Sequence, residues 1–313
     1  MSTKYLFWEN YTKQGLRFSY FCPMHQLRKI KRKDLDLEKY SKAIEEALNH
    51  RIYAEFWYLD ILTNEKWECW VYGDYEVVMP IPLQYKFRIK FVLQPIFCQQ
   101  LGVFYREDIP EELFREFEKK LHKYRVRAYH FNEENTERYQ PKGELKINHV
   151  LDLGLPYDEI RKSYNRNRRR KLIDLPEEFE LNLSESVDDL VDLFQAEYPN
   201  LAKPNWMKSL RKMMKAAFDR GIGYQCRIEN EEGLVAGLFY IKTHKRIFQL
   251  GAGRKKEIKD IGFFTIIIDH TIRLFSQTPD FQFDFEGSSA PGIAMFNESF
   301  GAERKTYTIF SNY

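Results

Sequence analysis

The stretch 263–275 is an apolar run (Phe-Phe-Thr-Ile-Ile-Ile-Asp-His-Thr-Ile-Arg-Leu-Phe) that predicts a helix, and strand-like segments stand on both sides of it. Arg246-Ile247-Phe248-Gln249-Leu250-Gly251-Ala252-Gly253 precedes it, followed by a basic loop; Phe281-Gln282-Phe283-Asp284-Phe285-Glu286 comes after. Gly287-Ser288-Ser289-Ala290-Pro291-Gly292 then opens a second predicted helix over 293–300. Strand, crossover helix and strand of this length imply two parallel strands. A strand that ends in small residues and feeds a helix N-terminus makes an anion site, because unpaired N–H groups and the helix dipole converge there.

The first half has a similar order. Tyr40, Ile44 and Leu48 predict a helix over 37–49. Strands are expected over 68–72, 75–83 and 86–94, with Gly73-Asp74 as a hairpin turn. A helix starts at Pro110-Glu111-Glu112, with Leu113, Phe114, Phe117 and Leu121 as its apolar stripe, and a strand over 126–131 completes the unit. Residues 234–241 repeat the pattern of 77–83, 247–250 that of 91–93, 263–275 that of the helix after Pro110, and 281–285 that of 126–131. Order and spacing agree although residue identity does not. Duplication of one α/β unit explains this economically, and two unrelated α/β halves are the alternative. The polar stretch 132–142 marks the join, giving domains 1–142 (with an irregular lead, 1–33) and 143–313. The second domain opens with a strand over 146–153, one helix over 157–172, a capping box at Ser186-Val187-Asp188-Asp189, and a helix carrying Trp206, Leu210, Met213, Met214 and Phe218.

Composition narrows the function classes. A chain of 313 residues with 43% hydrophobic and 16% aromatic residues is long enough for two cores. It has no apolar run of the roughly 18 residues that a membrane span needs. The first residues show no signal-peptide pattern, and Cys22, Cys69, Cys98 and Cys226 lie far apart, so reduced thiols and a cytoplasmic location are expected. The seven histidines show no metal-ligand spacing, so no metal is expected. A net charge of +3 does not argue for nucleic acid, but residues 161–171 hold seven cations and no acid.

Three stretches carry a family resemblance: Gln94-Pro95-Ile96-Phe97-Cys98-Gln99-Gln100-Leu101-Gly102-Val103-Phe104, Ser163-Tyr164-Asn165-Arg166-Asn167-Arg168-Arg169, and Asp284-Phe285-Glu286-Gly287-Ser288 with Phe300-Gly301-Ala302. With the order of elements, they resemble the GNAT acyltransferase fold in tandem, as in the Fem aminoacyltransferases and FemAB-like bacterial proteins, over about residues 36–310. The resemblance implies a mixed α/β fold of two GNAT-like domains. It also implies N-acyl transfer to an amine acceptor, such as a cell-wall precursor, from acyl-CoA or aminoacyl-tRNA, with tRNA as a partner.

Its residue-level implications are mixed. The pyrophosphate loop of GNAT enzymes is matched best by Lys259-Asp260-Ile261-Gly262-Phe263-Phe264, where Phe264 replaces a small residue and Asp260 adds a repelling charge. Gly251, Gly253, Arg254, Lys255, Lys259 and Gly262 are the candidate donor-binding residues. Arg168 and Arg169 are candidate phosphate contacts by their guanidinium forks, although a solvated helix end explains the basic run equally. The family's general acid, four residues before the last-helix glycine, corresponds to Asn297. Asparagine hydrogen-bonds an oxyanion but supplies no proton near neutrality. Asp284 and Glu286 share a strand face, and Glu286, at the strand's C-terminal end, is the candidate base or amine-orienting carboxylate; a carboxylate bonded to turn N–H groups is the alternative. Trp57, Tyr58, Gln94, Gln99 and Gln100 line a candidate acceptor cleft or, alternatively, pack in the core. The loss of a general acid also fits a non-catalytic ligand-binding protein.

Overall fold

The computed structural model describes residues 26–172, 174–287 and 290–313, so the expectations for the first 25 residues and for Ser288 and Ser289 lie outside the described residues. The N-terminal half comprises β1 (Arg28–Lys31), α1 (Leu37–Glu45), α2 (Phe56–Thr63), β2 (Trp67–Tyr72), β3 (Val77–Lys86), β4 (Ile89–Leu93), β5 (Phe104–Tyr105), α3 (Glu111–Leu121), β6 (Val126–Phe131) and α4 (Glu133–Tyr139). Then follow β7 (Glu144–Asp152), α5 (Tyr157–Ser163), α6 (Arg166–Lys171), β8 (Glu180–Leu183), α7 (Asp188–Glu197), α8 (Pro204–Asp219), β9 (Gly223–Asn230), β10 (Gly233–Lys242), β11 (Arg246–Arg254), α9 (Phe263–Phe275), β12 (Gln282–Asp284), α10 (Pro291–Glu298) and β13 (Glu303–Phe310).

All of these strands join one mixed sheet, in the order β1-β2-β3-β4-β6-β13-β7-β12-β11-β10-β9-β8, with β5 beside β3. The expected repeat is present. An antiparallel meander feeds a parallel pair in each half, β4 with β6 and β11 with β12, across the helices α3 and α9. The apolar stripes explain the crossovers: Phe114, Phe117 and Leu121 of α3 are buried, as are Phe263, Ile267, Ile268 and Ile272 of α9. The last strand, β13, does not stay with its neighbours in sequence. It inserts between β6 and β7, pairing antiparallel with both, from Glu303↔Val150 to Ile309↔Glu144 on one side and through Thr308↔Phe131 on the other. β7 pairs in turn with β12 through Leu151↔Phe283. The two repeats are thus fused edge to edge through strands that each half shares.

Three sequence expectations need correction, and one helix was not foreseen. The helix over 157–172 is two helices, α5 and α6, because Asn165 leaves helical geometry and its Oδ1 caps α6 by accepting from Arg168 N at 2.8 Å. The polar stretch 132–142 is mostly α4, capped by Asn132, whose Oδ1 accepts from Asn135 N at 2.9 Å. The strand over 281–286 ends at Asp284. Glu286 has φ of 55°, in the left-handed region, so it does not continue the face of Asp284. The helix not foreseen is α2, whose apolar residues are too continuous to show a helical face.

Candidate functional site

β11 and β12 are paired only over Arg246↔Gln282, Ile247↔Phe283 and Phe248↔Asp284; beyond that point the strands part. Such a parting of parallel strands is where open α/β sheets hold ligands. One side chain of the N-terminal half enters it. Tyr53 is fully buried; its ring meets Phe248 edge-on at 5.5 Å, and its hydroxyl donates to Glu286 Oε1 just past the end of β12. Glu286 keeps some accessible surface as a residue, but its carboxyl end is enclosed, and desolvation pushes that carboxyl well above the usual carboxylate range. On the β11 side, Gln249 carries a buried Oε1 with no hydrogen-bond donor within reach among the described residues. The left-handed backbone of Glu286 is held by its own N–H, which donates to Asp284 Oδ1 at 3.0 Å. Backbone of this kind at a non-glycine residue is concentrated at working sites.

The N-terminal repeat has closed its equivalent gap with its own chain. β4 and β6 pair at Val92↔Val126 and Leu93↔Ala128, and the segment 94–101 then folds across the opening. Gln94 N donates to Ala128 O at 2.9 Å, Leu101 N donates to His130 O at 2.8 Å, and Leu101 forms a parallel bridge to Phe131. The Gln94 side chain completes the seal, donating to Cys98 O at 2.9 Å and accepting from His130 N at 3.3 Å. The parting in the C-terminal repeat has the Glu286 carboxyl at its mouth instead.

Behind that mouth lies a buried charge network joining the two halves. Arg246 donates to Asp284 Oδ2 and to Glu133 Oε2, each at 2.9 Å. Arg51 donates to Glu133 Oε2 at 3.1 Å and to Glu134 Oε2 at 2.7 Å. Asn148 bridges Glu133 Oε1 and Asp284 Oδ1 at 2.8 Å each, and Gln100 donates to Glu133 Oε1 at 3.1 Å. Burial alone would raise the Glu133 carboxyl; Arg246 and Arg51 outweigh it and hold it at about 2. Asp284 goes the other way, raised by burial and by Glu133 against the pull of Arg246. The ion pair with Arg246 and the raised Asp284 carboxyl are consistent because three carboxylates face two guanidinium groups, and the excess negative charge weighs on the most enclosed acid.

A pH dependence follows. The folded-state carboxyl of Glu133 is depressed, so its stabilising contribution is complete above the ordinary glutamate range of about 4.3 and is lost as pH falls toward about 2. Urea unfolding between pH 5 and 2 is expected to fall less steeply in Glu133→Gln than in wild type; equal slopes would remove Glu133 from the acid sensitivity.

The remaining candidates are placed as follows. At the start of α9, Asp260 Oδ1 accepts from Gly262 N at 2.8 Å and from Phe263 N at 3.2 Å, so the protein's own carboxylate occupies the amides that a pyrophosphate would need. Gly253 makes room for α7 rather than for a ligand: a Cβ there would lie 2.7 Å from Phe194 N. Gly251 sits on β11 facing Phe239, Arg254 donates to Lys255 O at 3.4 Å, and Lys259 is exposed. Arg168 is turned inward. It stacks 4.2 Å from the Phe296 ring and 4.5 Å from Phe300, and donates to Ser299 Oγ at 2.8 Å and to Thr265 Oγ1. It is therefore a structural pin for α10, whereas Arg169 stays at the surface with Nη1 on Lys162 O at 3.0 Å. Asn297 is buried in α10 and Asp284 in the network. Trp57, Tyr58, Gln94, Gln99 and Gln100 do not line an open cleft. Trp57 packs under Arg220 at 4.5 Å, Tyr58 donates to Phe97 O at 2.5 Å, the Gln99 carbonyl faces His130 Nδ1 at 2.7 Å, and Gln100 belongs to the charge network. Sequence reasoning missed Tyr53, Arg246, Arg51 and Glu133. The only local signal was an arginine opening an otherwise apolar strand at Arg246, where an unpaired charge is costly.

No protein-family profile matches the chain, and no curated protein matches its sequence. Solved structures do match in fold. The chain is similar to FemX, with a TM-score of 0.65 at 9% identity, covering 91% of this chain and 97% of that one. It is also similar to the C-terminal domain of a putative lysylphosphatidylglycerol synthetase from Agrobacterium fabrum (TM-score 0.52, 9% identity, 88% and 92% covered). A conserved protein of unknown function from Bacteroides thetaiotaomicron matches at TM-score 0.56 and 10% identity, over 92% of this chain and all of that one (100%). The chain has a FemX-like fold, a mixed α/β sheet built from two similar α/β units. Among the described residues no helix is long and apolar enough to cross a membrane.

Proposed function

We propose that the protein is an N-acyltransferase that moves an aminoacyl or acyl group onto an amine, with the parting of β11 and β12 as the reaction site and Glu286 as its general base. The observation that carries this reading is the desolvated carboxyl of Glu286 at the mouth of the gap, hydrogen-bonded by Tyr53 from the other half. A carboxyl held above its ordinary range is a stronger base once ionised and is poised closer to neutral pH. In the reaction the amine nitrogen attacks the acyl carbonyl, the new C–N bond forms, and Glu286 takes the amine proton. The bond to the donor's oxygen or sulfur then breaks, and the leaving group takes up a proton. Asn297, buried in α10, lends its amide to the carbonyl only if that helix shifts, so the reading rests on Glu286.

The donor is an aminoacyl ester such as aminoacyl-tRNA rather than acyl-CoA, since Asp260 already caps the α9 amides. The exposed cations around Arg169 would then meet donor phosphates. A peptidoglycan-precursor amine is the acceptor that the Fem resemblance implies. Transfer of a radiolabelled aminoacyl group from tRNA to an amine-bearing muropeptide nucleotide tests this directly; turnover from acetyl-CoA but not from tRNA would reverse the donor assignment. Wild-type protein is expected to show no thermal shift with CoA. Asp260→Ala, which frees two amides at α9, is expected to gain a weak shift, measured by scanning fluorimetry.

A specific observation also favours a second reading, that of a non-catalytic binding protein: Tyr53 fills the gap in which an acyl group would lie. The two readings part at this side chain. Tyr53→Ala is expected to raise acceptor affinity or turnover several-fold if Tyr53 swings aside during catalysis. It would leave turnover at zero if the tyrosine is a permanent plug, and a turnover assay with both proteins decides the point.

A further inference from the structure

A cavity of about 300 Å³ lies on the far side of α9, walled by α5, α9, β8 and the chain just after α6. It is separate from the parting of β11 and β12 and shares none of its residues. Acids and bases both line it: Asp269 and Asp174 with Arg161 and Arg273. Asp269 accepts from Tyr157 OH at 3.0 and 2.8 Å on its two oxygens, and the buried Tyr164 hydroxyl lies close to the same carboxylate. Burial first, and then the Asp269 carboxylate, raise the hydroxyls of both Tyr157 and Tyr164, so these rings stay neutral donors around that acid.

Arg161 and Arg273 line the same cavity, and among the described residues neither guanidinium has a carboxylate within ion-pair distance. Arg273 lies 4.8 Å over the ring of Tyr157, whose hydroxyl donates to Asp269. Two guanidinium groups that line one cavity without a carboxylate partner are available to an anion. Leu181 and Ile266 supply apolar lining.

We infer that this cavity is a binding site for a small zwitterion, a free α-amino acid with an apolar side chain, its ammonium on Asp269, its carboxylate on Arg161 and Arg273, and its side chain against Leu181 and Ile266. Opposite charges lining one cavity suit a ligand carrying both signs, and a simple anion would leave Asp269 facing it. The volume is at the small end of ligand pockets, which fits an amino acid rather than a nucleotide.

Isothermal titration of the full chain with L-leucine, leucinamide (ammonium without free carboxylate), 4-methylpentanoate (carboxylate without ammonium) and inorganic phosphate tests the site. L-Leucine is expected to bind, and each half-ligand to bind about tenfold or more weakly, since each lacks one charge-assisted contact. Asp269→Asn and Arg161→Gln are each expected to weaken leucine about tenfold or more; Arg161 is exposed, so its variant folds even if the Tyr157–Asp269 contact proves structural. Glu286→Gln is expected to leave leucine binding unchanged, which separates this site from the reaction site. No binding of leucine at millimolar concentration overturns the inference. So does phosphate binding as tightly as leucine with Asp269→Asn unaffected.

Discussion

Arg246→Met is expected to destabilise the protein by about 3–5 kcal/mol, among the largest effects open to a single substitution here, because it removes one cation from a buried network and leaves Glu133 and Asp284 facing each other. Arg246 is 6% exposed and makes both of its short bonds to carboxylates from different halves of the chain, so the loss falls on the junction between repeats. Chemical unfolding followed by tryptophan fluorescence measures the change. A companion variant, Arg246→Met with Glu133→Gln and Asp284→Asn, is expected to recover a good part of it, since an uncharged network no longer holds unpaired ions. If the single and triple variants are equally unstable, the cost comes from packing and the electrostatic account is wrong.

Glu286→Gln is expected to lower the rate of group transfer by about 10²–10⁴-fold while leaving the fold intact. Glutamine keeps an oxygen for the Tyr53 hydroxyl, so the geometry of the mouth survives and only the proton acceptor is lost. The same variant has a stability signature of the opposite sign. The folded-state carboxyl is raised, so ionising it costs stability, and wild type should weaken as pH rises past the ordinary carboxylate range. Glu286→Gln lacks that penalty and is expected to unfold at a higher temperature than wild type near neutral pH. The wild-type rate should rise with pH through a midpoint above that of ordinary carboxylates. A variant that retains the wild-type rate and pH profile would remove Glu286 from the chemistry.

Much of the fold was legible because local patterns are local. The stripe of α3, the apolar α9 and the continuous apolar runs of β3 and β10 are set by residues a few positions apart, and the repeat of their order announced two like units. The site was legible only where one residue sufficed. Glu286 at a strand end stood out, but its partner Tyr53 lies 233 residues away, and no spacing rule spans that distance. The network of Arg51, Glu133, Arg246 and Asp284 was hidden for the same reason. Arg168 misled in another way. A run of cations reads as a solvated face, yet Asn165 breaks the helix and turns one of them between two phenylalanine rings. The glutamines of 94–100 looked like pocket chemistry because amides serve turns and ligands alike; here they seal the N-terminal gap.

The position of β13 also sets an order on biosynthesis. β6 and β7 are complete by residue 152, yet the strand that fills the space between them starts at residue 303. At ribosomal rates of roughly 5–20 residues per second, two hydrogen-bonding edges wait about 8–30 s for their partner. Nascent chains at that stage carry open strand borders ready to pair with a neighbour, so the demand for a chaperone should be greatest in the second half of translation and should vanish once β13 emerges.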